Sequence, residues 1–221
     1  MTQRLDPSQH SASELYRLMA DVIAPRPIAL VTTVSAAGVV NMAPFSWFQA
    51  AASSPPLLTL AVARPRPDHP KDTAYHAIES GEFTVSVVTE ELAGAANLAA
   101  GDFPSDVSEV AVTGVETVPS ERVAPPRVAN SPVAMECRLE RHLALAGGSI
   151  DFLIGEVLLF HVDEGVLEQG ASPETMPLVA RMGGRAWCRT RDRFDLDLPP
   201  KAWARGMTAD CAKGARPPDP E

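Results

Sequence analysis

Asn41-Met42-Ala43-Pro44-Phe45-Ser46-Trp47-Phe48 is the stretch on which the fold turns. It follows a β-branched run over residues 28–34 and a turn signal at Ala36-Ala37-Gly38, so the chain from Val39 onward returns as a second strand. Pro44 has no N–H to give to a ladder and must kink or bulge that strand. Ala43 and Pro44 are small enough to let a flat ring approach the backbone. N–H groups freed beside the kink could point at ring heteroatoms, and Ser46 adds a hydroxyl. The pattern alone equally allows a bulged strand whose Phe45, Trp47 and Phe48 are divided between core and surface.

Working outward, Ser11 and Glu14 fit a capping box ahead of a helix over residues 12–22. A third strand is expected over 57–63, after a turn at Ser53-Ser54-Pro55-Pro56. A helix over 72–80 is closed by Gly81, and residues 82–88 read as a strand with Phe83, Val85 and Val87 on one face. Residues 90–100 read as an Ala-rich helix. The region 101–131 is loop-rich, with a short strand near 110–115. Two long strands, 133–145 and 150–162, are separated by Gly147-Gly148 and read as a hairpin. After Pro173 the pattern becomes irregular. The strands do not alternate regularly with helices, so the expected class is mainly β with short helices (α+β), a barrel or sandwich rather than a doubly wound sheet. A single domain over 1–198 followed by a flexible tail over 199–221 is expected, the tail being rich in Pro, Ala and charge.

Composition narrows the function. The 221 residues carry a formal net charge of −9, which argues against nucleic acid and anionic membrane surfaces as partners. No apolar run approaches the roughly 20 residues of a membrane helix, and the polar first ten residues lack the apolar centre of a signal peptide. Cys137, Cys188 and Cys211 are odd in number and lack paired spacing, so they read as reduced thiols of a cytoplasmic protein, with no metal site. Neither a Gly-x-Gly-x-x-Gly turn nor a Walker lysine loop is present.

A second motif bears on the first. Pro70-Lys71-Asp72-Thr73 opens a helix, where unpaired N–H groups and the helix dipole favour an anion. Lys71 would add a full charge and Thr73 a hydroxyl, while Arg64 and Arg66, just upstream, could close on the same phosphate. A plain N-cap at Asp72 with a solvated Lys71 is the other reading that spacing permits. Taken together, the two motifs look like the ring end and the phosphate end of one pocket.

The chain resembles the flavin reductase-like family through an ordered set of segments. They are Pro25-Arg26-Pro27-Ile28-Ala29-Leu30-Val31-Thr32-Thr33, the Asn41 to Phe48 stretch, Pro70-Lys71-Asp72-Thr73, Gly81-Glu82-Phe83 and Asn97. Further on come Ser131-Pro132-Val133-Ala134-Met135-Glu136-Cys137, Gly155-Glu156-Val157 with His161, and Arg181-Met182-Gly183-Gly184 followed by Trp187. The resemblance implies an FMN-binding split β-barrel, with FMN (FAD as the alternative flavin) at the interface of a homodimer and NADH or NADPH as reductant. By position, Asn41, Ala43, Pro44, Phe45 and Ser46 would hold the ring end. Arg64, Lys71, Asp72 and Thr73 would hold the phosphate end, and Asn97 would lie nearby. His161 and Trp187 would stand at the nicotinamide side, contributed across the dimer. Trp187 departs from the family's usual Tyr, and the 64–70 loop is unusually Pro-rich. The implied activity is hydride transfer from NAD(P)H to flavin, in one form supplying a partner monooxygenase. The alternatives are a non-enzymatic FMN-binding or electron-carrier protein on the same fold, or a β-domain with no cofactor.

Overall fold

The structure, a computed structural model, describes residues 2–65 and 69–196. Arg66 and the expected tail over 199–221 lie outside the described residues. The described helices are α1 (Ala12–Val22), α2 (Asp72–Ser80), α3 (Ala93–Leu98), α4 (Glu109–Thr113) and α5 (Glu164–Gln169). Seven strands form one antiparallel sheet: β1 (Ala29–Val34), β2 (Val40–Phe45), β3 (Phe48–Ser53), β4 (Pro56–Ala63), β5 (Glu82–Val87), β8 (Val133–Leu145) and β9 (Ile150–Val162). Two small pairs join β6 (Thr117–Val118) to β7 (Arg127–Val128), and β10 (Val179–Arg181) to β11 (Trp187–Arg189).

The sheet order is β2-β1-β5-β8-β9-β4-β3. Its two edge strands, β2 and β3, are consecutive in the chain and joined only by Ser46 and Trp47. So short a connector cannot span an open seven-stranded sheet, since neighbouring strands lie about 4.8 Å apart. The sheet must therefore curl until its edges meet at this corner. β2 pairs only with β1, and β3 only with β4, so the barrel closes with a split. This is the mainly β, split-barrel architecture expected from the sequence.

Alternation along β1 sends side chains to two cores. Ala29 and Val31 enter the barrel with Leu58, Leu60, Phe83, Val85 and Leu153, and α2 adds Ala74 and Ala77. Leu30 faces outward and packs with Met42, Leu92, Ala96 and Val128 beneath α3. Each fully buried Leu or Val contributes about 1.5–3 kcal/mol, so both faces of β1 fix its register. The same two-sided burial holds in β5, where Phe83 and Val85 share the barrel face as expected and Thr84 and Ser86 are as buried on the other.

Four other expectations change. The single kinked strand after Val39 is two strands, because the chain breaks out of the β2 ladder just past Pro44 and turns at Ser46-Trp47 to the opposite edge. The short strand near 110–115 is instead helix α4, which begins after an extended Ser108 and ends at Gly114 with φ 69°; its Val-rich sequence resembles a strand. The α3 helix covers only Ala93–Leu98, shorter than the expected 90–100, and the segment after Pro173 contains the β10–β11 hairpin. The capping box of α1 and the left-handed Gly81 cap of α2 are formed as expected.

Candidate functional site

Where β2 passes the start of α2, the surface opens into a cleft of about 390 Å³. One wall is β2, through Asn41, Ala43, Pro44 and Phe45. A second is the start of α2, through Lys71, Asp72 and Thr73. The third is the 99–105 segment, including Phe103 and Pro104. Ser105 Oγ donates to Asp72 Oδ1 at 2.9 Å and ties the third wall to the second. His69 lines the outer rim.

The start of α2 is built to meet an anion. Lys71 is the N-cap residue, and among the described residues no side chain caps the helix there, so no described carboxylate or hydroxyl is bonded to its first N–H groups, beside which Lys71, Asp72 and Thr73 line the cleft. Asp72 is the first helical residue rather than the cap. Behind it, Asn41 Nδ2 donates to Thr73 Oγ1 at 2.9 Å and to Thr33 Oγ1 at 3.2 Å. Thr33 Oγ1 lies 3.3 Å from His76 Nδ1. Burial pushes the His76 pKa down, against the pull of the Asp72 and Glu109 carboxylates.

Glu109, which none of the motifs singled out, lies in this cleft and is 7% exposed. Its Oε2 accepts the Met42 N–H at 2.9 Å, while Ser108 Oγ donates to the Val40 carbonyl at 2.6 Å. The start of α4 thus seals the open edge of β2. In an antiparallel strand every second residue points its backbone groups outward, so the next outward position is Pro44. Pro44 itself has no N–H to offer at that position. The Ser-Glu pair ahead of a short helix was the signal for this seal, but nothing in the sequence linked it to β2.

Several expected residues stand elsewhere. Ser46 accepts from Arg26 Nε at 3.4 Å and faces an apolar groove on the far side of the β2–β3 corner. Arg64 is gripped by Asp151. Asn97 is exposed on α3, ahead of the Ala99 and Ala100 that line the cleft. His161 Nε2 lies 2.6 Å from Glu136 Oε1, and Glu136 also accepts the N–H groups of Glu121 and Arg122. Trp187 packs against the outer core beneath the Arg181 guanidinium, 5.4 Å from its ring centre. None of these five lines the cleft within one chain. No cluster of metal-ligating residues occurs among the described residues, and no described helix is long and apolar enough to cross a membrane.

The fold and the site together are a split barrel with a cleft between its β2 edge and a helix start. The flavin reductase like domain matches residues 22–196, and the chain belongs to that family. It is 39% identical over 201 residues to an uncharacterized protein of Halalkalibacterium halodurans, covering 89% of this chain and 96% of that one. Among solved structures, nitrilotriacetate monooxygenase component B from Bacillus cereus superposes with a TM-score of 0.85 at 34% identity, covering 89% of this chain and 99% of that one. The 2-nitrobenzoate 2-nitroreductase NbaA of Pseudomonas fluorescens superposes at 0.81 with 30% identity, covering 92% and 100%.

Proposed function

We propose that this chain is an NAD(P)H-dependent flavin oxidoreductase that binds FMN in the cleft between β2 and α2. The observation that carries the reading is the meeting of a helix start that no described side chain caps, bearing Lys71 and Thr73, with the Asn41 to Phe45 wall in one cleft of about 390 Å³. That volume lies within the range of small-molecule sites. Lys71, Thr73 and the first N–H groups of α2 would hold the phosphate, and Ala43, Pro44 and Phe45 would pack on the ring. FMN would supply the two-electron chemistry there. The side chains of the cleft bind, orient and exclude water; no nucleophile or metal is needed from them.

The reading includes a homodimer. Helix α1 turns Tyr16, Met19 and Ile23 to solvent, and Tyr16 stacks on Trp47 at 6.2 Å. Met19, Ile23 and Trp47 border an apolar groove of about 310 Å³ that includes Pro25, Pro27 and Phe48, immediately beyond the Phe45 end of the cleft. A second copy seated here would complete the site, and any nicotinamide-side role of His161 or Trp187 would be exercised from that partner. The likeness to a monooxygenase component B supports a reductase that passes electrons to a separate acceptor; a cytoplasmic location is part of the same proposal.

Anaerobic titration tests the activity. The purified protein loaded with FMN should lose its yellow absorbance rapidly on addition of NADH or NADPH. Colour that persists in excess of both would favour an electron carrier on the same fold, and failure to bind FMN would overturn the reading altogether.

A further inference from the structure

Counting hydrogens behind the cleft gives a direction to its polar chain. The Asn41 amide has two N–H hydrogens, and both are spent, on Thr33 Oγ1 and Thr73 Oγ1. Each threonine oxygen is therefore an acceptor on that side, and its own hydrogen must go elsewhere. For Thr33 the other neighbour is His76 Nδ1, which receives the hydrogen if it holds a lone pair. Burial lowers the pKa of this imidazole and so disfavours its charged form. For Thr73 no second partner stands among the described residues, and its side is the cleft. All four residues are more than nine-tenths buried, so water cannot easily reset the chain.

Resting on the FMN reading above, we propose that Thr33 and His76 are positioning residues: through Asn41 they hold the Thr73 hydroxyl as a donor into the cleft, and so select a ligand with an anionic oxygen there. The alternative polarity has Asn41 turned by half a rotation, with its carbonyl facing both threonines. Thr73 would then spend its hydrogen on Asn41 and present only lone pairs to the phosphate. The first arrangement pairs with the His76 tautomer that carries its hydrogen on Nε2, whose Nδ1 lone pair gives the Thr33 hydrogen a destination. His76 also borders a separate surface hollow beside Tyr75, Glu79 and Ser80, so the chain reaches from the cleft to a second opening further along α2.

The test compares FMN with riboflavin, which lacks the phosphate, by fluorescence titration. Thr33→Val and His76→Leu should each weaken FMN binding about tenfold, the scale of one hydrogen bond to a charged group, while riboflavin affinity stays within about twofold. Thr33→Ser, and His76→Asn whose amide oxygen can take the place of Nδ1, should restore the preference for FMN. Retained riboflavin binding also certifies that each variant is folded. Equal losses for both ligands, or no loss in either variant while Thr73→Val discriminates against FMN, would overturn the assignment but leave the flavin site standing. A wild-type protein that binds riboflavin and FMN alike would overturn it too, and one that binds neither would overturn the flavin reading with it.

Discussion

Arg64 and Asp151 form a two-pronged ion pair, with Nε to Oδ2 at 2.7 Å and Nη2 to Oδ1 at 2.6 Å. His142 Nε2 lies 2.7 Å from the same Asp151 Oδ1, and the carboxylate is fully buried. Burial pushes the Asp151 pKa up, but the Arg64 and His142 hydrogen bonds outweigh it and hold the carboxyl below its usual value. This arginine thus fastens the end of β4 to β9. Arg64→Met is expected to lower the melting temperature by several degrees, because it leaves a buried carboxylate short of partners, while FMN affinity changes less than about twofold. Calorimetry and flavin titration on one preparation separate the two effects.

Lys71 and Thr73 carry the opposite expectation. Lys71 is exposed at the rim of the cleft, so Lys71→Ala should leave stability nearly unchanged. Hydrogen bonds to a charged group contribute about 1.5–3 kcal/mol, and the Lys71→Ala, Thr73→Ala double variant should weaken FMN binding at least tenfold on that scale. Isothermal titration is the check, and unchanged affinity would remove the phosphate from this helix start.

Gly155 lies on β9 against the Phe83 ring inside the barrel. A Cβ at residue 155 would overlap that ring, and Phe83 is fully buried. Gly155→Ala should cost about 1–3 kcal/mol by overpacking. Pairing it with Phe83→Leu should recover part of the loss relative to the sum of the single variants, as read from denaturant midpoints.

Glu136 links acid stability to the expected catalytic histidine. Its burial raises the pKa, but N–H groups from Glu121 and Arg122, together with His161, outweigh burial and leave the folded value depressed. A depressed folded pKa means the stabilisation is present above the unfolded value, about 4.3 for Glu, and is lost as pH falls from there through the folded value. Glu136→Gln should destabilise the protein at neutral pH by about 1–3 kcal/mol and flatten the acid limb of its melting curve. If His161 serves mainly to hold this carboxylate, His161→Gln will lower the melting temperature more than it lowers turnover.

The apolar corner at α1 predicts the assembly. Ile23 is 54% exposed, so Ile23→Glu should not disturb the monomer fold. It should weaken self-association by at least about tenfold, the effect of losing an interface anchor. Sedimentation velocity over a concentration series decides it, and a wild-type chain that stays monomeric would remove the dimer from the reading.

The amino-acid order alone determined the local elements whose signals are short-ranged. The α1 capping box, the Gly81 stop of α2 and the full lengths of β8 and β9 could all be read from neighbouring residues, because capping, turn geometry and alternation act within a few positions. The ordered motifs also pointed to the flavin reductase family and its split barrel. Tertiary structure decided what depends on which distant residues meet. Pro44 announced a break, but only barrel closure sends β2 and β3 to opposite edges. Glu109 reaches Met42 across 67 positions and Asp151 takes Arg64 across 87, and charge alone could not say that one lines the cleft while the other removes an arginine from it. The physical reason is that a buried polar group must be satisfied by whichever partner folding brings within reach, and that partner is set by the path of the chain around the barrel rather than by its neighbours in sequence.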